Sequence, residues 1–328
     1  MKTSSHIFKK QIIQLSVLVA FLLCSFSAKA ANPVFSPYFK NLSSEVNTAN
    51  LNDIVPEVAI SGNTIHLLWL EYISSSYTEP LPKIYYRRSL DWGKTWEAPK
   101  LLITLHDASY VRYGNRVKKM SVEGNNIHIC VPDYTYYQNG TGHLYYIRST
   151  DNGTTFDAPK EIASTYSGSY KDIYRSFIKS VNNHIGIVYN NDVNGTHFSY
   201  STDNGENFKD TLVLKKTEYD TEICDFEYDG NQALILHEYV YYSYGFANGR
   251  MYVTTTFDNG ETFTTTKISQ PYTSGDYTYE KSHTTFQDWS DNFQDYRKKI
   301  AKSGDNIYIV YEEEKEGNSC TVLVSSND

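Results

Sequence analysis

The sequence predicts an all-β fold assembled from repeated four-stranded antiparallel units. One eight-residue turn pattern occurs four times, and four strand-like segments can be read around each copy. The chain also holds 30 tyrosines among its 328 residues, while no long stretch shows helical periodicity.

The turn pattern reads [ST]-x-D-x-G-x-x-[WF]. Its copies are Ser89-Leu90-Asp91-Trp92-Gly93-Lys94-Thr95-Trp96, Ser149 to Phe156, Ser201 to Phe208 and Thr256 to Phe263. The aspartates Asp91, Asp151, Asp203 and Asp258 stand 60, 52 and 55 residues apart. Gly93, Gly153, Gly205 and Gly260 supply positive φ, and Asn before Gly in three copies is a hairpin signal. Each Asp can accept hydrogen bonds from its own turn, and the Ser or Thr can tie in the incoming strand. The closing aromatics Trp96, Phe156, Phe208 and Phe263 are large enough to anchor one unit on the next.

The first unit is expected to have strands at Ile54–Ser61, Thr64–Tyr72, Lys83–Ser89 and Thr95–Leu102, with Gly62-Asn63 turning between the first two. The second follows at Arg116–Val122, Asn126–Pro132, His143–Ser149 and Thr155–Ile162. The third is expected at Tyr174–Ser180, His184–Tyr189, Thr196–Ser201 and Asn207–Leu214. The fourth is expected at Ile223–Tyr228, Ala233–Tyr239, Arg250–Thr256 and Thr262–Ile268. A fifth begins at Lys298–Lys302, continues through Asn306–Glu312 and Thr321–Ser326, and reaches Ser325-Ser326-Asn327-Asp328, which reads as a fifth turn with its Asp and Asn exchanged.

Four-stranded units at this period match the blades of a β-propeller, in which each blade covers its neighbours' faces. Phe35-Ser36-Pro37-Tyr38-Phe39-Lys40 resembles the fourth-strand text Trp96-Glu97-Ala98-Pro99-Lys100, so residues 35–42 are expected to close the fifth blade and protect its edge. Five blades is the preferred count.

The repeated turn resembles the Asp box, or BNR repeat, of the sialidase superfamily and related β-propellers. The resemblance covers nearly all of residues 31–328 and implies that the boxes lie on the face away from the active site. It also implies an alternative blade count, a truncated six-bladed propeller. Catalytic sialidases use an Arg triad, an Asp acid/base and a Tyr nucleophile assisted by Glu, with the first Arg in an [FY]-R-I-P motif. This sequence has no such motif; the nearest text is Ile54-Val55-Pro56, with Asp53 where the Arg would stand. The preferred function is therefore non-catalytic glycan binding. The alternative is a sialidase-like exo-glycoside hydrolase acting on terminal sialic acid.

Residues 1–30 read as a secretory signal. Lys2, Lys9 and Lys10 precede an apolar run from Leu15 to Phe26, and Ala28-Lys29-Ala30 is a small-x-small cleavage site. The apolar run of 12 residues is shorter than the roughly 20 that span a bilayer, so no membrane span is expected in residues 31–328, and the chain is expected to be secreted or periplasmic. Loss of four lysines and no acid on cleavage after Ala30 takes the net charge from −8 to −12, which disfavours nucleic acid as a partner. Cys130, Cys224 and Cys320 lie in different repeats without metal-ligand spacing and are expected to be buried thiols. No box carries the closing Glu of an EF-hand loop, and no cofactor or metal is expected.

Strand direction places the loops entering each first strand, and those between second and third strands, on the face opposite the boxes. Candidate binding residues there are Asp53, Arg112, Arg116, Asp172, Arg175, Glu222 and Arg297. Arg116, Arg175 and Arg297 stand near first-strand starts, and convergent guanidinium groups suit a carboxylate. The segment Gln270 to Tyr296 has no obvious strand pattern and carries Tyr272, Tyr277, Tyr279, His283, Phe286, Trp289 and Phe293 among acids. That mixture suits stacking on a sugar ring, with Trp289 as the candidate contact. His66, His128, His184 and His237 recur on second strands and are read as packing positions.

Overall fold

The structure is a computed structural model that describes residues 42, 52–72, 81–106, 119–135, 141–165, 173–191, 193–216, 220–243, 246–269, 272–274, 277–279, 299–315 and 318–326. The chain divides into two compact units, Met1–Leu42 and Ser43–Asp328, and every described strand belongs to the second. The proposed closing strand 35–42 lies outside the described residues, apart from Leu42.

The strands form five antiparallel blades of a β-propeller. The first is β1 (Asn52–Ser61), β2 (Thr64–Tyr72), β3 (Lys83–Ser89) and β4 (Lys100–Thr104). The second is β5 (Lys119–Glu123), β6 (Asn126–Thr135), β7 (Thr141–Ser149) and β8 (Lys160–Ser164). The third is β9 (Ile173–Val181), β10 (His184–Asn191), β11 (Gly195–Ser201) and β12 (Lys209–Lys215). The fourth is β13 (Asp220–Tyr228), β14 (Ala233–Ser243), β15 (Phe246–Thr256) and β16 (Thr264–Lys267). A small ladder of β17 (Tyr272–Ser274) and β18 (Tyr277–Tyr279) precedes the fifth blade. That blade has three described strands, β19 (Lys299–Ser303), β20 (Asn306–Lys315) and β21 (Asn318–Ser326). The first strands β1, β5, β9, β13 and β19 adjoin in succession, which makes them the innermost strands.

Three strand expectations change. Fourth strands begin later than the box suggests in blades 1 and 2, at Lys100 and Lys160, because Pro99 and Pro159 have no N–H to give the ladder. In blades 3 and 4 no proline intervenes, and the strands start directly after Phe208 and Phe263. The segment after Gln270 is not strand-free: Tyr272–Ser274 pairs antiparallel with Tyr277–Tyr279. In the fifth blade Ser326 pairs with Ile307 as Ser89 pairs with Ile65. Ser326 therefore holds the first box position, and Asn327-Asp328 continues the box sequence in order, with no exchange.

The core lies between blades rather than within them, which is why the middle strands are apolar on both faces. Leu68, Leu70, Ile84 and Tyr86 of blade 1 pack on Met120, Ile127, Ile129, Val131 and Ile147 of blade 2. Cys130, Leu144 and Tyr146 of blade 2 then meet Ile178, Ile185, Ile187 and Tyr189 of blade 3. Phe177, Val188 and Phe198 meet Phe226, Tyr228 and Ile235, and Leu234, Leu236 and Met251 meet Ile300, Ile309 and Tyr311. Cys130 and Cys224 are buried free thiols, as expected. Val58 and Ile60 on blade 1, and Tyr308, Val310 and Leu323 on blade 5, are exposed.

All four boxes adopt one geometry. Trp92, Asn152, Asn204 and Asn259 have φ of 61°, 60°, 58° and 53°, and the glycine after each lies between 79° and 85°. In the second box Ser149 Oγ donates to Asp151 (2.8 Å) and accepts from Gly153 N–H (2.9 Å), while Thr155 N–H and Oγ1 donate to the same carboxylate (2.9 and 2.6 Å). Hydrogen bonds from Thr95, Asn207 and Thr262 hold the Asp91, Asp203 and Asp258 carboxyls down to about 2, and bonds from Thr155 and Ser149 outweigh burial to do the same for Asp151. Each box also touches the turn between its blade's first two strands, as in Asn152 N–H to Asn125 C=O (2.8 Å). Both turn sets thus share one face.

The seams between boxes repeat as well. Arg88 donates to Asn152 C=O, and Arg148 donates to Asn204 C=O (2.8 Å). Lys100 reaches Gly153 C=O (2.8 Å), Lys160 reaches Glu206 C=O (2.6 Å), and Lys209 pairs with Glu261. Beneath the boxes, His66 Nδ1 bonds Tyr86 Oη and His128 Nδ1 bonds Tyr146 Oη, both at 2.7 Å. Those hydroxyls fill the space a Cβ would take on Gly153 and Gly205 of the next blade. In blade 3 the tyrosine is replaced by Phe198, and Gly186 stands where the histidine would be, leaving room for Tyr228. His66 and His128 are packing residues, as the sequence indicated.

Candidate functional site

The face opposite the boxes receives the starts of the first strands, and those strands are bulged there. Each of β1, β9 and β13 carries one extra residue, between Ile54 and Glu57, between Tyr174 and Phe177, and between Ile223 and Asp225. A bulge re-aims side chains at a strand end. In β9 it puts Arg175 at φ 47°, a left-handed conformation unusual for a residue with a Cβ.

Arg175 is buried, with 6% of its surface exposed, and forms an ion pair with Glu222 of the next blade's first strand. Its Nη1 also donates to Ile223 C=O (3.3 Å). Asn190 adds to this junction by donating to Thr221 C=O and accepting from Ile223 N–H (3.3 Å). Two predicted site residues, Arg175 and Glu222, are thus brought together as an ion pair. Asp53 lies in β1 opposite Glu71. Arg112, Arg116, Asp172, Trp289 and Arg297 lie outside the described residues, and so does the convergence of Arg116, Arg175 and Arg297.

A second polar group sits on the same face where blade 1 hands over to blade 2. His106, just past β4, meets Asp133 at the end of β6, together with His143 and Tyr145 on β7 and Glu161 on β8. Asp133 is fully buried and accepts both the His106 backbone N–H (3.1 and 3.2 Å) and Nδ1 (2.6 Å). The bond to Asp133 raises the His106 pKa above its ordinary value, against partial burial. His143 Nδ1 is likewise held by Glu161 (2.7 Å). The His106, His143 and Tyr145 rings are near-parallel, with centroids 5.7 to 6.4 Å apart. Burial, then the charges of Asp133 and Glu161, push the Tyr145 hydroxyl up to about 12.

Sequence reasoning missed this group because its members come from four elements with no shared motif. One signal was available: alternation along β6 puts Asp133 on the same face as the buried Ile127, Ile129 and Val131, where an acid needs a partner. Two other histidines on the strands are closed. His197 has Nδ1 on Asp210 (2.6 Å) and Nε2 on Asn194 (2.8 Å), and is 8% exposed. His237 is fully buried, bonds Thr254 (2.8 Å) and is held down to about 3 by burial. No group of three or more His, Cys, Asp or Glu among the described residues is arranged to hold a metal ion.

No protein-family model matches the chain, and no curated protein matches it in sequence. Solved structures do. A Trypanosoma rangeli sialidase in complex with sialic acid is 12% identical with a TM-score of 0.45; the match covers 83% of this chain and 53% of that one, so the chain spans about half of the sialidase's length. A Penicillium chrysogenum α-L-arabinanase complexed with arabinobiose is 14% identical over 78% of this chain and 77% of that one, with a TM-score of 0.46. A Dyadobacter fermentans protein of unknown function is 13% identical over 84% and 80%, with a TM-score of 0.48. The likeness is one of fold.

Proposed function

We propose that the chain is a secreted propeller that binds glycans on the face opposite its Asp boxes, without turning them over. The observation that carries this reading is a recurring tyrosine. Tyr85, Tyr145 and Tyr252 occupy one register on the third strands, opposite Trp69, Val131 and His237, and all are half-buried. Tyr85 lies in the field of Glu71 and Tyr145 in that of Asp133 and Glu161. Aromatic faces beside carboxylates suit a sugar, which offers C–H groups to a ring and hydroxyl donors to an acid. The N-terminal signal text supports secretion.

Sialidase-like hydrolysis is the second reading, favoured by the Asp-box resemblance. Two features stand against it: Asp53 replaces the expected Arg, and Arg175 is already engaged by Glu222. Incubation with fluorogenic sialosides and other glycosides, alongside a glycan array, separates the readings. Array binding without release of the fluorophore supports glycan recognition. Release from sialosides overturns the non-catalytic reading, and silence in both assays overturns glycan function altogether.

A further inference from the structure

We propose that Phe35–Leu42 adds to the open edge of β21 as the fourth strand of blade 5, and that the completed blade seats on blade 1 with Lys40 reaching the first Asp box. The proposal is independent of the glycan reading.

The two faces involved are bare where their counterparts are buried. By ladder register, Val58 occupies the first-strand position held by Met120, Ile178, Phe226 and Ile300 in blades 2 to 5. Those four are 8%, 5%, 1% and 4% exposed beneath the preceding blade, whereas Val58 is 65% exposed. On the other flank, Leu323 holds the third-strand position of Tyr86, Tyr146 and Phe198, three residues before the first box position. Those rings are 0%, 3% and 0% exposed, seated under Gly153, Gly205 and Gly260 of the next box, while Leu323 is 64% exposed. The Cβ position of Gly93 in the first box meets only Ile65 and Trp96, both of its own blade. Four joints are sealed, and the fifth has apolar residues waiting on both sides.

β21 also has an unpaired outer edge among the described residues, where β3, β7, β11 and β15 each carry a fourth strand. Val322, Leu323 and Val324 in succession make that edge prone to chance pairing unless a strand covers it.

Phe35–Leu42 fits the edge in length and chemistry. Residues 43–51 link it to β1, and the equivalent links from a fourth strand to the next first strand are residues 105–118, 165–172 and 216–219. A link of nine residues falls between links of fourteen and four. Lys100 lies opposite Tyr86 and Lys160 opposite Tyr146, and each ammonium reaches a carbonyl of the next box. Lys40 follows Phe35 and Pro37 much as Lys100 follows Trp96 and Pro99. The same register puts Lys40 opposite Leu323 and in reach of the first box, whose bonds to other described turns come from Asn63 of its own blade.

The test is oxidative cross-linking of Lys40→Cys with Leu323→Cys in the full chain, on a Cys320→Ser background that removes the thiol nearest in sequence. Directly opposed residues of an antiparallel pair stand close enough for a disulfide. The proposal expects an intramolecular link, identified by peptide mapping of the monomer, and none when Ser36→Cys replaces Lys40→Cys. A link between molecules shows that a second copy supplies the strand and overturns the proposal. Absence of any link in a variant that melts as wild type overturns it too. If the paired variant does not fold, hydrogen exchange of the unaltered chain decides: slow amides in both Phe35–Leu42 and β21 are expected, and fast exchange over Phe35–Leu42 overturns the added strand. Seating on blade 1 is read separately by urea unfolding of Val58→Thr, a change of nearly equal volume. A covered Val58 gives a lower midpoint, and an unchanged midpoint overturns the seating.

Discussion

Replacing Gly153 by Ala tests how the box seams are built. Gly153 has φ 81°, where a residue with a Cβ costs about 1–2 kcal/mol. Its Cβ would also overlap the Tyr86 hydroxyl, which bonds His66 Nδ1 at 2.7 Å. His66 Nε2 has no partner among the described residues, so displacing that hydroxyl leaves the buried imidazole with none. An unmade buried hydrogen bond costs a further 1–3 kcal/mol or so, which makes about 2–5 kcal/mol in all. Gly62→Ala is the control, because Gly62 has φ 58° and nothing within 4 Å of its Cβ position, so backbone strain alone applies. Urea unfolding of both variants measures the difference, and Tyr86→Phe combined with Gly153→Ala should show strong coupling. If Gly153→Ala costs no more than Gly62→Ala, the hydroxyl is not locked beneath the box and the account of the seam fails.

Acid should destabilise the fold in two windows. His66 and His128 are held at about 4 by burial and then by Arg88 and Arg148, below their ordinary 6.5, so the unfolded chain takes up protons first and stability falls between those values. The box aspartates, held at about 2 against an ordinary 3.8, lose their contribution as pH falls through that lower range. Urea midpoints against pH should show both steps; His128→Gln should flatten the upper one and Asp151→Asn the lower. His106 runs the other way: its raised pKa gives stability that is full below 6.5 and fades as pH rises through the folded value, which imidazole NMR titration reads directly. Arg175→Ala and Glu222→Ala should each lower stability by about 1–3 kcal/mol, with a double variant milder than the sum, because the two side chains are coupled through their ion pair at this junction. Independent, additive losses in a double-mutant cycle would remove Arg175 from that junction.

The boxes were legible because their chemistry is local. Ser149, Asp151, Gly153 and Thr155 satisfy one another within seven residues, so the pattern survives in one dimension. Blade order and the role of His66 and His128 followed from the same repetition. The fourth strands were misplaced because Pro99 and Pro159 defer the ladder, an effect of one missing donor rather than of apolar pattern. The binding face was less legible. Arg175 was singled out, but its pairing with Glu222 depends on a bulge that no residue type announces. His106 and Asp133 stand 27 residues apart, and only the passage from one blade to the next brings them together.

The contacts along the box rim all point the same way. Arg88 and Lys100 reach forward to the second box, Arg148 and Lys160 to the third, and Lys209 to the fourth. The second, third and fourth boxes are thus each a socket for the plug carried by the blade before, and plug and socket reside on one contiguous stretch of chain. A blade duplicated, excised or exchanged at this boundary would bring its own fittings and leave the neighbouring joints intact. Such a rim works as a standard coupling between modules, and it lets the opposite face diverge blade by blade, as Tyr145 and His197 do at one register.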